Sequence, residues 1–229
     1  MTTAVAYTEE TDPYCLTPQA AADYLHTAPW TRFAAVGDSV AAGIGDSVPG
    51  YTTARWTDRV ADALRRVQPG LAQLNTGIVG ATTQQVIDGQ LAAVTAFEPD
   101  LVHVSAGANE LWTADPDYAG IEARLDELYT RLSAGGAQLL TYLFGEIFDD
   151  PNRAGFFARL KALNTITARV SDRHGAIVVD LRTHPMIARP NALSADNIHF
   201  TMASWAVFAA ENVRALSAWL DTRRTDATP

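Results

Sequence analysis

From Arg32 onward, short apolar segments alternate along the chain with longer amphipathic segments. The apolar segments predict five β-strands, over residues 33–36, 72–77, 101–105, 138–144 and 176–180. The amphipathic segments predict five helices, over residues 54–67, 83–97, 117–133, 154–174 and 202–220. Strands that alternate with helices in this way form a parallel sheet with helices on both faces. The pattern therefore predicts an α/β fold of three layers.

The chain before residue 32 is predicted to form a short N-terminal extension, about residues 1–30, of one domain that spans residues 1–229. Thr17 followed by Pro18 is typical of a helix start, which predicts a helix over residues 19–26. The first twelve residues contain no cationic segment that leads into an apolar stretch, as a secretory signal would. No apolar run reaches the roughly 18 residues of a membrane span. We therefore expect a cytoplasmic protein that does not cross a membrane.

The composition narrows the class of partner. Hydrophobic residues make up 48% of the chain and charged residues 19%, as in ordinary globular domains. The net charge is -9 and no cluster of Lys and Arg exceeds a pair, so nucleic acid and anionic membranes are disfavoured as partners. The single cysteine, Cys15, can form no internal disulfide, which agrees with a reducing compartment. A small molecule is the expected partner.

A candidate nucleophile follows the first predicted strand, in the sequence Gly37-Asp38-Ser39. A turn at this place can expose a hydroxyl together with its own backbone N–H. The tripeptide alone is weak evidence for a nucleophile, because Gly-Asp-Ser is also an ordinary turn sequence. It is not the Gly-x-Ser-x-Gly elbow of α/β-hydrolases, since Ala41 stands two positions after the serine. Neither a phosphate-binding loop nor the glycine spacing of a dinucleotide fold is present.

Two further polar groups follow the next two strands. Gly80 lies in a turn just before a predicted helix, where its N–H can face an oxyanion, although a plain strand-to-helix turn would use the same residue. Asn109 follows the third strand, and its side-chain amide can donate to a developing alkoxide. We expect an oxyanion hole that consists of the N–H groups of Ser39 and Gly80 and the amide of Asn109.

The last motif, Asp196-Asn197-Ile198-His199, precedes the final predicted helix. The spacing allows the Asp196 carboxylate to contact one nitrogen of the His199 ring and fix its tautomer. The other ring nitrogen is then available to accept the proton of Ser39. Asp180, at the end of the last strand, is a rival partner for the histidine, but Asp196 has the tighter local geometry. Asp38 is expected to hold its own turn through backbone hydrogen bonds.

These four motifs, in this order, resemble the four blocks of the SGNH, or GDSL-type, hydrolase superfamily. The resemblance covers residues 33–205 and implies a flavodoxin-like sheet with strand order 2-1-3-4-5, no metal or organic cofactor, and acyl-ester chemistry on a serine. Two positions depart from the family pattern. Glu110 stands where the third block usually has aspartate, which predicts altered loop packing with intact chemistry. Trp205 stands near a position where many members have glycine, and it is expected to line the pocket or the helix cap.

The remaining histidines are expected to have structural roles, and the loop after the fourth strand is expected to contribute to a substrate pocket. His103 alternates within an apolar strand and is expected to lie in the core, and the other histidines outside the motif show no metal-ligand spacing. The loop after the fourth strand opens on the same edge of the sheet as the motifs. Position alone suggests a substrate pocket that is lined by Trp112, Phe144, Phe148 and Trp205, with Phe156 and Phe157 nearby.

The predicted function is that of a serine esterase. Ser39, deprotonated by His199, would form an acyl-enzyme with the ester of a small metabolite or lipid, and water would release the acyl group. An acyltransferase would use the same residues and pass the acyl group to an alcohol, and no motif distinguishes the two. A less favoured alternative is a non-catalytic α/β binding protein that retains the turns by descent.

Overall fold

The computed structural model describes residues 7–145 and 154–226 of the chain. Its sheet consists of five strands: β1 (Arg32–Gly37), β2 (Ala72–Asn75), β3 (Leu101–Ser105), β4 (Gln138–Phe144) and β5 (Ile177–Leu181). All neighbouring strands are parallel, in the order β2-β1-β3-β4-β5. The α/β class and the strand order that the resemblance implied are therefore confirmed.

Helices cover both faces of this sheet. The described α-helices are α1 (Pro18–Tyr24), α2 (Ser39–Ala42), α3 (Trp56–Val67), α4 (Thr83–Phe97), α5 (Tyr118–Ser133), α6 (Ala154–Arg173) and α7 (Met202–Asp226). Two 3₁₀ helices (Asn109–Trp112 and Pro185–Ala188) lie in loops that follow β3 and β5. Within the described ranges, no helix combines the length and the apolar character that crossing a bilayer requires.

Two hydrophobic cores form because successive side chains of a strand point to opposite faces of the sheet. Phe33 and Leu101 belong to the core that α1, α3 and α7 cover. Ala34 and Val102, each one residue further along, belong to the core that α4, α5 and α6 cover. Both faces of the central strands are thus buried, which explains why these strands are continuous apolar runs in the sequence.

The N-terminal segment packs on the first of these cores. Thr17 caps α1 by accepting a hydrogen bond from the Ala20 N–H at 3.2 Å, as the Thr-Pro signal predicted. Asp12 is buried, and its carboxylate binds the Arg189 guanidinium and the Tyr51 hydroxyl. Burial, together with the nearby acidic groups, raises the pKa of the Cys15 thiol to about 12, so this cysteine is not a nucleophile at neutral pH.

Several predicted boundaries differ from the structure. Strand β2 ends at Asn75 rather than at residue 77, because the Asn75 side-chain oxygen accepts a hydrogen bond from the Gly77 N–H and turns the chain. Helix α7 continues to Asp226, six residues beyond the predicted end. The short helix α2 was not predicted, and it is this element that carries the candidate nucleophile.

Candidate active site

A cavity of about 90 Å³ opens at the carboxyl ends of the central strands, and it brings together three of the predicted catalytic and oxyanion-hole residues. Ser39 comes from the start of α2, directly after β1, Asn109 from the loop after β3, and His199 from the segment before α7. The remainder of the lining is mostly apolar and includes Val40, Ala108, Trp112, Tyr142, Phe144, Phe156, Leu160, Ile198, Phe200 and Trp205. Carboxyl ends of parallel strands are where ligands bind in open α/β sheets.

The turn from β1 into α2 depends on Gly37. This residue has φ = +137°, and a Cβ added to it would lie 1.8 Å from the Ser105 carbonyl oxygen. Asp38 then caps α2 by accepting a hydrogen bond from the Val40 N–H at 2.9 Å. Ser39 is therefore the first residue of α2, and its backbone N–H is one that a helix leaves without an internal acceptor.

Asp38 is fully buried behind Ser39. Its carboxylate begins a short hydrogen-bonded chain that continues through two hydroxyl groups. The Ser105 hydroxyl donates to the Asp38 carboxylate, and the Tyr142 hydroxyl lies 3.0 Å from that of Ser105. Burial raises the pKa of Asp38 to about 6, despite the hydrogen bonds from Ser105 and Val40 that act in the opposite direction. The carboxylate is thus directed at the turn and at Ser105, in line with the expected structural role.

His199 and Asp196 form one compact turn. The His199 Nδ1 lies 2.6 Å from Asp196 Oδ2, while Asp196 Oδ1 accepts hydrogen bonds from the N–H groups of Ile198 and His199 at 2.9 and 3.0 Å. Asn197 adopts φ = +56°, a conformation that asparagine tolerates better than most residues. Burial alone would raise the pKa of Asp196, but the hydrogen bonds from His199 and Ile198 outweigh it and hold the pKa at about 2. The turn therefore presents an ionised carboxylate to Nδ1 and leaves Nε2 available.

Asp180, the rival candidate for orienting His199, binds an arginine instead. Asp180 binds the Arg182 side chain at 2.6 and 2.9 Å and accepts a hydrogen bond from the Arg182 N–H. Within the described residues, no hydrogen bond joins Asp180 to His199, and none joins the Ser39 hydroxyl to the His199 ring. Catalytic hydrogen bonds are often long without substrate and tighten in the reacting complex.

Two of the three proposed oxyanion donors have free backbone N–H groups. In residues 7–145 and 154–226, neither the Ser39 N–H nor the Gly80 N–H has a hydrogen-bond acceptor. Asn109 Nδ2 donates one proton to the carbonyl oxygen of Ala81 at 2.9 Å, which leaves its second proton unused by that bond. Gly80 is exposed and does not line the cavity, but this bond ties its turn to the Asn109 side chain.

Glu110 occupies a supporting position. Its carboxylate accepts a hydrogen bond from the N–H of Thr83, the first residue of α4, at 2.6 Å. The longer side chain thus links the loop after β3 to the turn that contains Gly80. A carboxylate at a helix N-terminus is also favoured by the helix dipole.

Gln90 is a site residue that sequence reasoning did not identify. It lies in α4, is 1% exposed, and its amide pairs with both polar groups of the Gly37 backbone, at 2.9 Å to the N–H and 2.8 Å to the carbonyl. Its oxygen also accepts a hydrogen bond from the Thr76 hydroxyl at 2.9 Å. Gln90 thereby fastens the end of β1, two residues before Ser39, to the start of the turn that contains Gly80.

Three of the four residues that were predicted to line the substrate pocket do line the cavity. Trp112, Phe144 and Trp205 line the cavity, and so does Phe156. Phe148 lies outside the described residues. Trp205 is buried and donates from its indole nitrogen to the Ile44 carbonyl oxygen at 2.8 Å, so it forms a wall of the cavity rather than a helix cap.

His103 lies in the core, as its alternation in β3 predicted. Its ring is fully buried among Trp56, Tyr142 and Phe208, and neither ring nitrogen has a hydrogen-bond partner in the part of the chain that the structure describes. Burial lowers the pKa of His103 to about 3. The described residues contain no cluster of three or more His, Cys, Asp and Glu side chains that could hold a metal ion.

Comparison with known proteins identifies the family of this chain. The model of the GDSL-like Lipase/Acylhydrolase family matches residues 35–204, which is most of the chain and includes Ser39, Gly80, Asn109, Asp196 and His199. No match was found among the curated proteins.

Solved structures share the fold at low sequence identity. An alpha/beta hydrolase enzyme from the metagenome of Lake Arreo is 22% identical, with a TM-score of 0.66, over 83% of this chain and 97% of that one. An acetylxylan esterase from Geobacillus stearothermophilus is 20% identical, with a TM-score of 0.64, over 81% and 94%. A lipase/acylhydrolase from Enterococcus faecalis is 21% identical, with a TM-score of 0.63, over 82% and 96%.

Proposed function

Because the chain belongs to the GDSL-like lipase/acylhydrolase family, we propose that it is a serine esterase that acts through an acyl-enzyme on Ser39. The observation that carries the proposal is the single cavity that Ser39, Asn109 and His199 line, together with the 2.6 Å contact that fixes the His199 ring on Asp196. These are the parts that nucleophilic acyl chemistry needs: a hydroxyl, a base with an orienting carboxylate, and an amide donor for the oxyanion.

In the proposed mechanism, the Ser39 oxygen attacks the ester carbonyl while His199 Nε2 takes the hydroxyl proton. The negative charge that develops on the carbonyl oxygen is stabilised by the N–H groups of Ser39 and Gly80 and by the free Asn109 amide proton. His199 then protonates the departing alcohol, which leaves Ser39 acylated. A water molecule, deprotonated by the same histidine, attacks the acyl carbonyl, and the histidine returns that proton to the Ser39 oxygen as the carboxylic acid is released.

The size of the cavity favours a short acyl group. At about 90 Å³ it is smaller than the roughly 300–1,000 Å³ of typical ligand pockets, so a bulky acyl group would not fit inside it. Its walls are predominantly apolar, so an acetyl or similarly short chain fits them better than a charged acid. A solved structure with the same fold is an acetylxylan esterase, which supports a short acyl group without identifying the alcohol.

The proposal is tested with a fluorophosphonate probe and a series of esters. The probe is expected to form one adduct, located on Ser39 by mass spectrometry, and p-nitrophenyl acetate is expected to be hydrolysed faster than the octanoate. A lack of adduct, with no ester hydrolysed, would instead favour the non-catalytic binding protein. An adduct on another serine would overturn the assignment of the nucleophile.

Transfer of the acyl group to an alcohol would use the same residues. Product analysis in the presence of a panel of alcohols separates the two reactions. For an esterase we expect free acid as the main product. A predominance of acylated alcohol would instead show that the protein is an acyltransferase.

A further inference from the structure

Most of the large apolar side chains that are exposed in the described residues belong to the loops that carry the candidate active site. Among the described residues, seven large hydrophobic side chains are exposed, and five of them stand within five positions of a proposed site residue. We refer to these five as the apolar rim: Ile44, Ile78, Val79, Trp112 and Ile198. Single exposed apolar residues are common on protein surfaces, but a cluster at a cavity mouth indicates a binding surface.

Part of the rim lies in the turn after β2, which does not line the cavity. The cavity is lined from the ends of β1, β3 and β4, from α6 and from the segment that leads into α7, and no residue of the turn after β2 contributes to it. Ile78 and Val79, which are 55% and 54% exposed, lie in that turn, and β2 is the neighbour of β1 on its other side. The Ile78 N–H donates to the Gly37 carbonyl oxygen at 3.0 Å, which holds this turn beside the nucleophile.

An ester bound at Ser39 therefore meets two different surfaces. One is the small cavity, whose wall includes Trp112 and Ile198 of the rim, and the other is the exposed apolar surface of Ile78 and Val79 beside the nucleophile. Ile44, after α2, is also exposed, and its carbonyl oxygen accepts a hydrogen bond from the indole of Trp205, a wall of the cavity. The smaller part of the substrate fits the cavity, and among the described residues the rim offers apolar surface for the larger part.

The charge around the mouth restricts what can lie on this surface. The segments 40–45, 76–82, 106–113 and 197–200, which carry the rim, contain no lysine and no arginine. Glu110 is their one acidic residue, and its carboxylate is engaged by the Thr83 N–H. A phosphate or another anionic group on the substrate would find no cation in these segments, and the Arg159 guanidinium, which reaches one of them from α6, donates to the Leu111 carbonyl oxygen at 2.7 Å.

We propose that the substrates are short-chain esters of uncharged, apolar alcohols, and that the alcohol part lies on the apolar rim. This rests on the proposed esterase function and adds to it the class of the alcohol. The rim would then stabilise the transition state of acylation, before the alcohol departs, so it acts on kcat/KM for the ester.

The test uses n-alkyl acetates from ethyl to hexyl, because these esters keep the same acyl group and have leaving groups of nearly equal reactivity. Burial of one methylene is worth about fourfold in an equilibrium constant, so a half-covered chain is expected to raise kcat/KM about twofold per CH₂. Acetylated xylo-oligosaccharides serve as polar esters with the same acyl group, and we expect their kcat/KM to be below that of hexyl acetate.

Two variants locate the effect. The first is the double variant I78S/V79S, and the second is I44S, because Ile44 lies outside the turn that contains Gly80. Both are expected to reduce the gain in kcat/KM per CH₂ of the alcohol. Tyr24→Ser is the matched control, because Tyr24 is 43% exposed on α1 and is absent from the cavity lining and from the segments around the mouth. It should leave the series unchanged.

Failure of this proposal differs from failure of the esterase function. If the protein forms no Ser39 adduct and hydrolyses no acetate, the esterase function itself is wrong. If it hydrolyses ethyl acetate but shows no gain with alcohol length, or if the rim variants retain the gain, the apolar alcohol is wrong. If kcat/KM instead rises with acyl length and the rim variants remove that rise, the rim binds the acyl chain and the proposal is overturned.

Discussion

The Nδ1 atom of His199 lies 2.6 Å from the Oδ2 atom of Asp196, three residues earlier in the same turn. The other carboxylate oxygen of Asp196 accepts hydrogen bonds from two backbone N–H groups of that turn. One short segment thus carries both the candidate base and the group that orients it, and the carboxylate is held by the backbone even when the histidine changes charge during turnover.

Replacing Asp196 by asparagine tests this relationship. The amide keeps the size of the side chain but removes the negative charge, and it can favour the wrong tautomer of His199. In a serine-protease triad the equivalent change lowers kcat by about 10⁴-fold, and we expect a loss of about 10² to 10⁴-fold here. Steady-state kinetics on a short-chain ester, with circular dichroism to verify the fold, provides the measurement.

Asp180→Asn is the matched control for that variant. Asp180 binds Arg182, so its loss should leave kcat within about twofold. If the Asp180 variant lost activity and the Asp196 variant retained it, the assignment of the orienting carboxylate would have to be reversed.

A second prediction concerns Gln90, which holds the end of β1 and thereby positions Ser39. Gln90→Glu keeps the shape but replaces the N–H that binds the Gly37 carbonyl by an oxygen, so the end of β1 is expected to shift. A displacement of about 1 Å in a catalytic group can cost about 10²-fold in rate, so we expect kcat to fall by about 10- to 100-fold while KM changes little. The rate of fluorophosphonate labelling of Ser39 should fall in parallel.

Gln84→Glu is the control for this variant, because Gln84 lies on the same helix, is exposed and binds Asp88. It should label at the wild-type rate. Equal labelling rates in all three folded proteins would show that Gln90 has a purely structural role.

His103 predicts a pH dependence of stability. Its pKa is lowered to about 3 in the folded protein, and the usual value in an unfolded chain is about 6.5. The unfolded chain therefore binds the proton first, and stability is lost as the pH falls below about 6.5. Between pH 7 and pH 5 this single group is expected to lower the free energy of unfolding by about 2 kcal/mol.

The variant His103→Leu should not show that loss. Other titrating groups, such as Asp38, act in both proteins and cancel in the comparison. Urea unfolding of both proteins at pH 7 and pH 5 gives the difference directly, and parallel losses of stability would contradict the account of His103.

Much of the fold and of the site was predictable from the sequence because the signals are local. The run Leu101–Ser105 is mostly apolar, as expected of a strand that is buried on both faces, and its predicted bounds agree with the structure. The Asp196–His199 spacing encodes its own turn, so that contact followed from the sequence alone. The assembly of Ser39, Asn109 and His199 in one cavity was predictable only because each follows or precedes an element at the same edge of the sheet.

Other features depend on contacts between segments that are distant in sequence. Gln90 lies between Val86 and Val94 on the buried face of α4, and a polar residue in an apolar row was the available signal. Its partner Gly37 is 53 residues away, and no local pattern encodes such a distance. The apolar rim likewise depends on the exposure of side chains in four separate loops, which no local pattern in the sequence encodes.

The central claim is that Ser39 is the nucleophile of an esterase. The most direct measurement compares wild-type protein and Ser39→Ala in hydrolysis of p-nitrophenyl acetate, with both proteins verified as folded. The account predicts that the variant loses at least about 10³-fold in kcat, with only the residual catalysis that an oxyanion hole and binding provide. A Ser39→Ala protein that hydrolyses the ester at the wild-type rate would contradict it.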